Sequence, residues 1–448
     1  MSPRRLVGLL QASVAAAALL TGAAASGAPG LGELAPARPV VPDRSFRLRD
    51  FGAVGDGTTS NTDAFKQAVA AVAAAGGGTL LVPAGTYCTG PFDLCSGLNL
   101  HLAAGATILF SPRPADYRGD GPKGYRPLLR IRNAHDVMIS GAGTINGHGE
   151  AWWPEALRFR AAANAANAAS NTSPRPVMVA FAGCQRIRLE GITLTQAPVF
   201  DVTQTDCQDV TVEGITIYNP AGSPNTDGVD PKSCQRVLIA HCHIDTGDDE
   251  VALGGGGDVP EEDILITDCT FGHGHGCSIG SGTACGVRNV LVRRCTFDGT
   301  DDGMRLKSAR GKGGLVENVT YEDLTMKNVG TALSLSSSYG NSAIHHPLDD
   351  SALDQDTPHS VTPTTPRWKN ITIRNVTATA CRDRAGLIAG LREMPLENVR
   401  LENVTLEAPV GLRLANARGV TLQNVHITAA TGPDLIVDGS VQGLTRHD

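Results

Sequence analysis

Apolar residues fall into one repeating frame over most of the chain. Ile187, Val210, Val237, Ile264, Val290, Val319, Ile371, Val399 and Val420 can be set as anchors. Two residues on stand Leu189, Val212, Ile239, Ile266, Val292, Tyr321, Ile373, Leu401 and Leu422. Five residues on stand Ile192, Ile215, Cys242, Cys269, Cys295, Leu324, Val376, Val404 and Val425, and seven on is apolar or small from Leu194 to Ile427. Alternation with period 2, broken once by a polar or glycine corner, describes two short strands joined by a bend. The anchors recur mostly every 21–29 residues, and the double-length gaps Val137–Ile187 and Val319–Ile371 hold the longest insertions. That period marks a solenoid, whose repeats bury their apolar faces only by stacking. The pattern predicts an all-β, single-domain, right-handed parallel β-helix with coils ~4.8 Å apart.

Asn or Asp precedes the anchor at Asp209, Asp263, Asn289, Asn318, Asn370 and Asn398, where a tight corner favours residues that hydrogen-bond their own backbone. Upstream, Asn61 to Ala75 reads as an Ala-rich amphipathic helix, with Thr62-Asp63 as N-cap and Gly76-Gly77-Gly78 as stop. It is placed to plug the open N-terminal end of the solenoid. Ahead of it, Arg4 and Arg5, the apolar run Leu6 to Leu20 and Ala23-Ala24-Ala25 form a secretory signal over residues 1–25. Such a run falls short of the ~20 residues a membrane span needs. Residues 26–45 are expected to be a loose leader, and 46–448 the β-helix domain, with its N-terminal cap at about 46–110. The product is then secreted or periplasmic, with no membrane association after cleavage, and a monomer. Of the 11 cysteines, Cys242, Cys269 and Cys295 share one register and Cys184, Cys207 and Cys234 another, which suits stacked buried thiols. Cys88 and Cys95 are spaced to close a local hairpin.

The formal net charge is −7 and the pI about 5.9, which argues against a nucleic-acid partner, since that needs a basic face. Any acidic ligand must be drawn by a few placed cations. Four short stretches follow the repeat: Asn225-Thr226-Asp227-Gly228, Gly247-Asp248-Asp249, Gly274-His275-Gly276 and Arg305-Leu306-Lys307. Steps of 21 residues (Asp227 to Asp248), 26 (Asp249 to His275) and 30 (His275 to Arg305) put each on a successive coil. Three crowded carboxylates cannot all ionise easily, so one keeps its proton, and an acid and a base arise from the same side chain. Glycosidic hydrolysis needs that pair. His275, between two glycines that let backbone approach a ligand, could tune their protonation. Arg305 and Lys307 flank inward-facing Leu306, so both project outward, as a fork and a point charge for a carboxylate substituent. Tyr339, one coil further on, is a candidate sugar platform. A metal site from His241, His243, His273 and His275 lacks ligand spacing, and no metal or cofactor is expected.

Together these four motifs resemble the polygalacturonases of glycoside hydrolase family 28. The likeness extends to Arg49-Asp50-Phe51-Gly52-Ala53, Val82-Pro83-Ala84-Gly85-Thr86-Tyr87 and Gly143-Thr144-Ile145-Asn146-Gly147 before Trp152-Trp153, which are similar to secreted bacterial members. The resemblance implies inverting hydrolysis of α-1,4-linked galacturonic acid in pectin, an acidic plant cell-wall polysaccharide. It implies Asp248 as general acid, Asp227 and Asp249 as holders of the attacking water, and His275 as support for the acid. Asn225, Arg305, Lys307 and Tyr339 are then substrate-binding. The chain departs from the family where a stretch like Ile-Lys-Ser-Gly usually follows the aspartate pair; here Ala252-Leu253-Gly254-Gly255 stands, without that lysine. Another pectic backbone such as rhamnogalacturonan, a β-helix lyase using Ca²⁺, and a non-enzymatic binding solenoid are the rival readings. Endo and exo action are both open, with insertions at 146–176 and 340–368 placed to wall off a cleft.

Overall fold

The computed structural model describes residues 30–119, 124–166, 172–257, 259–339 and 350–448, so the signal segment lies outside the described residues. The strands pair in parallel from coil to coil and wind into a β-helix around one continuous apolar core. The anchor row is found as the alternation requires. Val137 pairs with Ile187, then Val210, Val237, Ile264, Val290, Val319, Ile371, Val399 and Val420 in turn. A one-residue slip would turn every one of these side chains into water, which is why the pattern specifies the register so firmly.

The corner residues behave differently from expectation. Asp263, Asn289, Asn318, Asn370 and Asn398 all adopt left-handed backbone, with φ of 56–59°. Their side chains bond along the stack rather than to their own backbone. Asn289 Nδ2 donates to Asp263 (3.0 Å), Asn318 to Asn289 (3.2 Å), Asn370 to Asn318 (3.1 Å) and Asn398 to Asn370 (2.8 Å). Asn tolerates this conformation and carries both donor and acceptor, so it can link coils in a chain.

Helix α1, Thr62–Ala74, covers the first coils and buries Phe65, Ala68 and Val72, with Phe65 stacked on Phe92 at 4.5 Å. Its N-cap is Asn61, not Thr62-Asp63. The Asn61 amide is used to tie down Val54 and Thr59, while Thr62 Oγ1 accepts from Gly90 N at 2.7 Å. Residues 30–44 are not loose. Ala37 N and Val40 N donate to Asp209 and Asp136 on the corner stack (3.1 and 2.9 Å), and Leu31 is buried. All eleven thiols are free, the two stacked sets buried and Cys88 and Cys95 half-buried without a bridge. Among the described residues no helix is long and apolar enough to cross a membrane.

Candidate active site

One sheet carries the four motifs. Its strands Val229–Lys232, Val251–Leu253, Cys277–Ile279 and Asp302–Lys307 stack with Val229 on Val251, Val251 on Cys277 and Cys277 on Met304. The first three motifs are the turns entering three of these strands, and the fourth lies in the last strand. Side chains far apart in sequence therefore meet at one edge of the sheet.

The glycines of these turns are sterically required. A Cβ on Gly247 would lie 2.1 Å from Ser223 O, one on Gly274 2.5 Å from Glu250 Oε1, and one on Gly276 2.2 Å from Asp302 O. Gly274 and Gly276 also have positive φ, 150° and 84°. The turns then lock together, with His275 N donating to Asp248 O at 2.8 Å and Gly247 N to Thr226 Oγ1 at 3.0 Å.

Asp227, Asp248, Asp249 and His275 are all buried, as are Arg305 and Lys307. His275 Nδ1 sits 2.9 Å from Asp248 Oδ1, and Asn225 Nδ2 donates to Asp248 Oδ2 at 3.3 Å. The other ring nitrogen of His275 faces Asp301 at 3.6 Å. Asp249 is engaged by both cations. Arg305 Nη1 (2.7 Å) and Ser278 Oγ (2.7 Å) reach its Oδ1, and Lys307 Nζ (2.6 Å) its Oδ2. Arg305 Nε turns to Asp302 at 3.0 Å. Tyr339 is half-buried, its ring 5.8 Å from both Arg305 Cζ and Lys307 Nζ.

Electrostatics split the carboxylates. Burial alone would raise Asp249, yet Lys307 and Arg305 hold it below the usual carboxylate range. For Asp227 the pull of Lys307 is the smallest influence; burial, then the charges of Asp248, Asp230 and Asp249, push it well above. One member of the cluster is held ionised, and the crowded remainder resist losing their protons together.

Several residues of the site were not singled out from sequence. Buried Arg175 donates to Pro198 O, Pro224 O and Asn225 Oδ1 (2.8, 2.7 and 2.8 Å), fixing the turn before Asp227. Burial lowers its pKa to about 10. Glu250, raised well above its ordinary value by burial, accepts from Gly276 N beneath His275. Ser278 was readable from strand alternation, since it lies between core-facing Cys277 and Ile279 and beside outward-facing Arg305; the other two carry no periodic signal. The His241, His243, His273 and His275 set is not brought together. Among the described residues the grouping able to offer metal ligands is Asp248, Asp249 and His275, with donor atoms within 4.8 Å of one another. Asp249 spends three of its roughly four lone-pair positions on Arg305, Lys307 and Ser278, so the group fits a proton-transfer cluster better than a cation site.

Comparison with known proteins points to one family. The family model for glycosyl hydrolases family 28 matches residues 76–431. The chain is similar to a probable polygalacturonase of Vitis vinifera, 33% identical over 327 residues, covering 67% of this chain and 65% of that protein. A probable polygalacturonase of Arabidopsis thaliana is 32% identical over 301 residues, covering 65% of this chain and 60% of that protein. The chain thus spans slightly under two thirds of the length of these curated relatives. Among solved structures, a hyperthermoactive exopolygalacturonase of Thermotoga maritima matches with a TM-score of 0.69 and 26% identity, over 91% of this chain and 94% of that one.

Proposed function

The chain belongs to glycosyl hydrolases family 28, and from that premise we propose that it hydrolyses α-1,4-galacturonosidic bonds of polygalacturonate, inverting the anomeric carbon. One observation carries the reading: Asp249 is held as an anion by Arg305 and Lys307, next to an Asp248–His275 hydrogen bond and a buried Asp227. Polygalacturonase names among the relatives support it.

Inversion requires an acid at the glycosidic oxygen and a base on a water at the opposite face. Asp248 is the acid in this proposal, oriented by His275 and Asn225. Asp227 and Asp249 hold the water. Asp249 has one lone-pair position left after its three bonds, enough to accept from a water. Asp227 takes the water's proton. A proton on Asp248 removes a charge that raises Asp227, so the two titrate as a coupled pair and exchange roles through one proton. Arg305 and Lys307 hold Asp249 in place as an anion, and Tyr339 beside them is a sugar platform. The enzyme acts as an exported monomer on pectin, with every proposed site residue in one chain and a signal at 1–25 for export.

The test is incubation with polygalacturonate, with and without a chelator. New reducing ends that survive chelation, without ultraviolet absorbance and with the β-anomer first by proton NMR, are expected. An absorbing unsaturated product would establish a lyase instead. An initial α-anomer would make one aspartate a nucleophile, and cleavage of rhamnogalacturonan alone would move the substrate to another pectic backbone.

A further inference from the structure

Lys232 stands on the same sheet but takes no part in the chemistry above. Along Val229–Lys232, Val229 and Pro231 face the core, so Asp230 and Lys232 face out. Lys232 lies beside Gly254 in the next coil. Leu306 pairs with Ile279, which sets Lys307 beside Gly280. One outward row therefore reads Lys232, Gly254, Gly280, Lys307. At ~4.8 Å per coil the two lysine backbones stand about 14 Å apart, and the row between them carries no side chain.

The two lysines differ in what they have left to offer. Lys307 is spent on Asp249 at 2.6 Å, with a side chain 9% exposed. The Lys232 side chain is 37% exposed, and its contact to buried Asp230 is 3.4 Å, at the long limit of a hydrogen bond. Its ammonium stands 4.9 Å over the half-buried ring of Phe200. An accessible cation, an aromatic face and a row of glycines form a site suited to a sugar acid, with charge for the carboxylate and the ring for an apolar face.

We propose that Lys232, with Phe200, binds the carboxylate of a second uronate residue of the same polysaccharide, at the far end of the row from Lys307. This rests on the polygalacturonate reading above. Asp230, held beneath it, orients the ammonium.

The test compares the wild type with Lys232→Met, which keeps the stem, and Lys232→Arg, which keeps the charge. On de-esterified polygalacturonate, Lys232→Met should lose roughly 10- to 100-fold in kcat/KM, mostly through KM, the range expected for a lost hydrogen bond to a charged group. The methyl ester should be affected little, and Lys232→Arg should recover most of the loss. Calorimetry with a galacturonate oligomer, in an Asp248→Asn background, should show the same weakening without turnover. An Lys232→Met protein with unchanged KM and unchanged ester preference overturns the proposal. So does an equal loss on both substrates with a lowered Tm, which would make Lys232 a counter-ion of Asp230 only. Cleavage by the wild type with no Lys232 effect sinks Lys232 alone; a wild type that neither cleaves nor binds galacturonate sinks both readings.

Discussion

At the scale of residues, the site works by giving like side chains unlike surroundings. Asp248→Asn removes the proposed acid while keeping the bonds to His275 and Asn225 nearly isosteric, so a rate loss of about 10²–10⁴ with unchanged Tm is expected. Steady-state kinetics and thermal unfolding on one preparation check it; near-native turnover would reassign the acid. Gly276→Ala is expected to act through shape. Its Cβ would meet Asp302 O at 2.2 Å and the φ of 84° disfavours it, so His275 must shift. Activity should fall and Tm with it, whereas Gly256→Ala, whose Cβ has open space, should change neither. The spacing of the motifs made Asp227, Asp248, Asp249, His275, Arg305 and Lys307 legible, because solenoid period converts sequence distance into position. What each faces was not legible. Nothing in Arg305-Leu306-Lys307 says that both cations turn to Asp249, and Arg175 arrives from an insertion outside the repeat.

At the scale of elements, the asparagine ladder makes each coil depend on the next. Asn318 donates to Asn289, accepts from Asn370 and holds a φ of 56°. Asn318→Ala should lose both bonds and pay the left-handed cost, roughly 2–3 kcal/mol together. Asn318→Gly should lose less, since glycine adopts that φ freely; equal losses by chemical denaturation would show that backbone conformation contributes nothing there. The strand Glu261–Thr267 begins with a buried acid, and burial raises Glu261 to about 8 from an ordinary 4.5. It is therefore neutral in the fold near pH 7. Its contribution to stability is full below about pH 4.5 and is lost as pH rises through about 8, at about 1.4 kcal/mol per unit within that window. Glu261→Gln should flatten that slope, which denaturation midpoints across the window would measure. Alternation placed this strand correctly, but it could not show that a leading Glu sits inside rather than in water.

At the scale of the whole molecule, the chain is one stack closed at its start by α1 and strapped along a corner by residues 30–44. Its thiols stabilise it as apolar filling, not as cross-links. Reductant should leave Tm unchanged; a drop would mean a bridge forms between cysteines that stand free here. The strap was unreadable because its Ala, Pro and Gly composition resembles a linker, and its contacts are backbone donors meeting Asp136 and Asp209 far down the chain.

The row shared by Lys232 and Gly254 has a consequence for ancestry. Every spot on the outer surface of a stack has near neighbours at two or more addresses in the chain, here 22 residues apart. A charge lost at one address can be supplied from the storey below by a long, flexible side chain, with the chemistry preserved and the motif erased. A reader who compares such proteins letter by letter along the chain would score two unrelated substitutions. A reader who compares them storey by storey would see one lysine that has moved house.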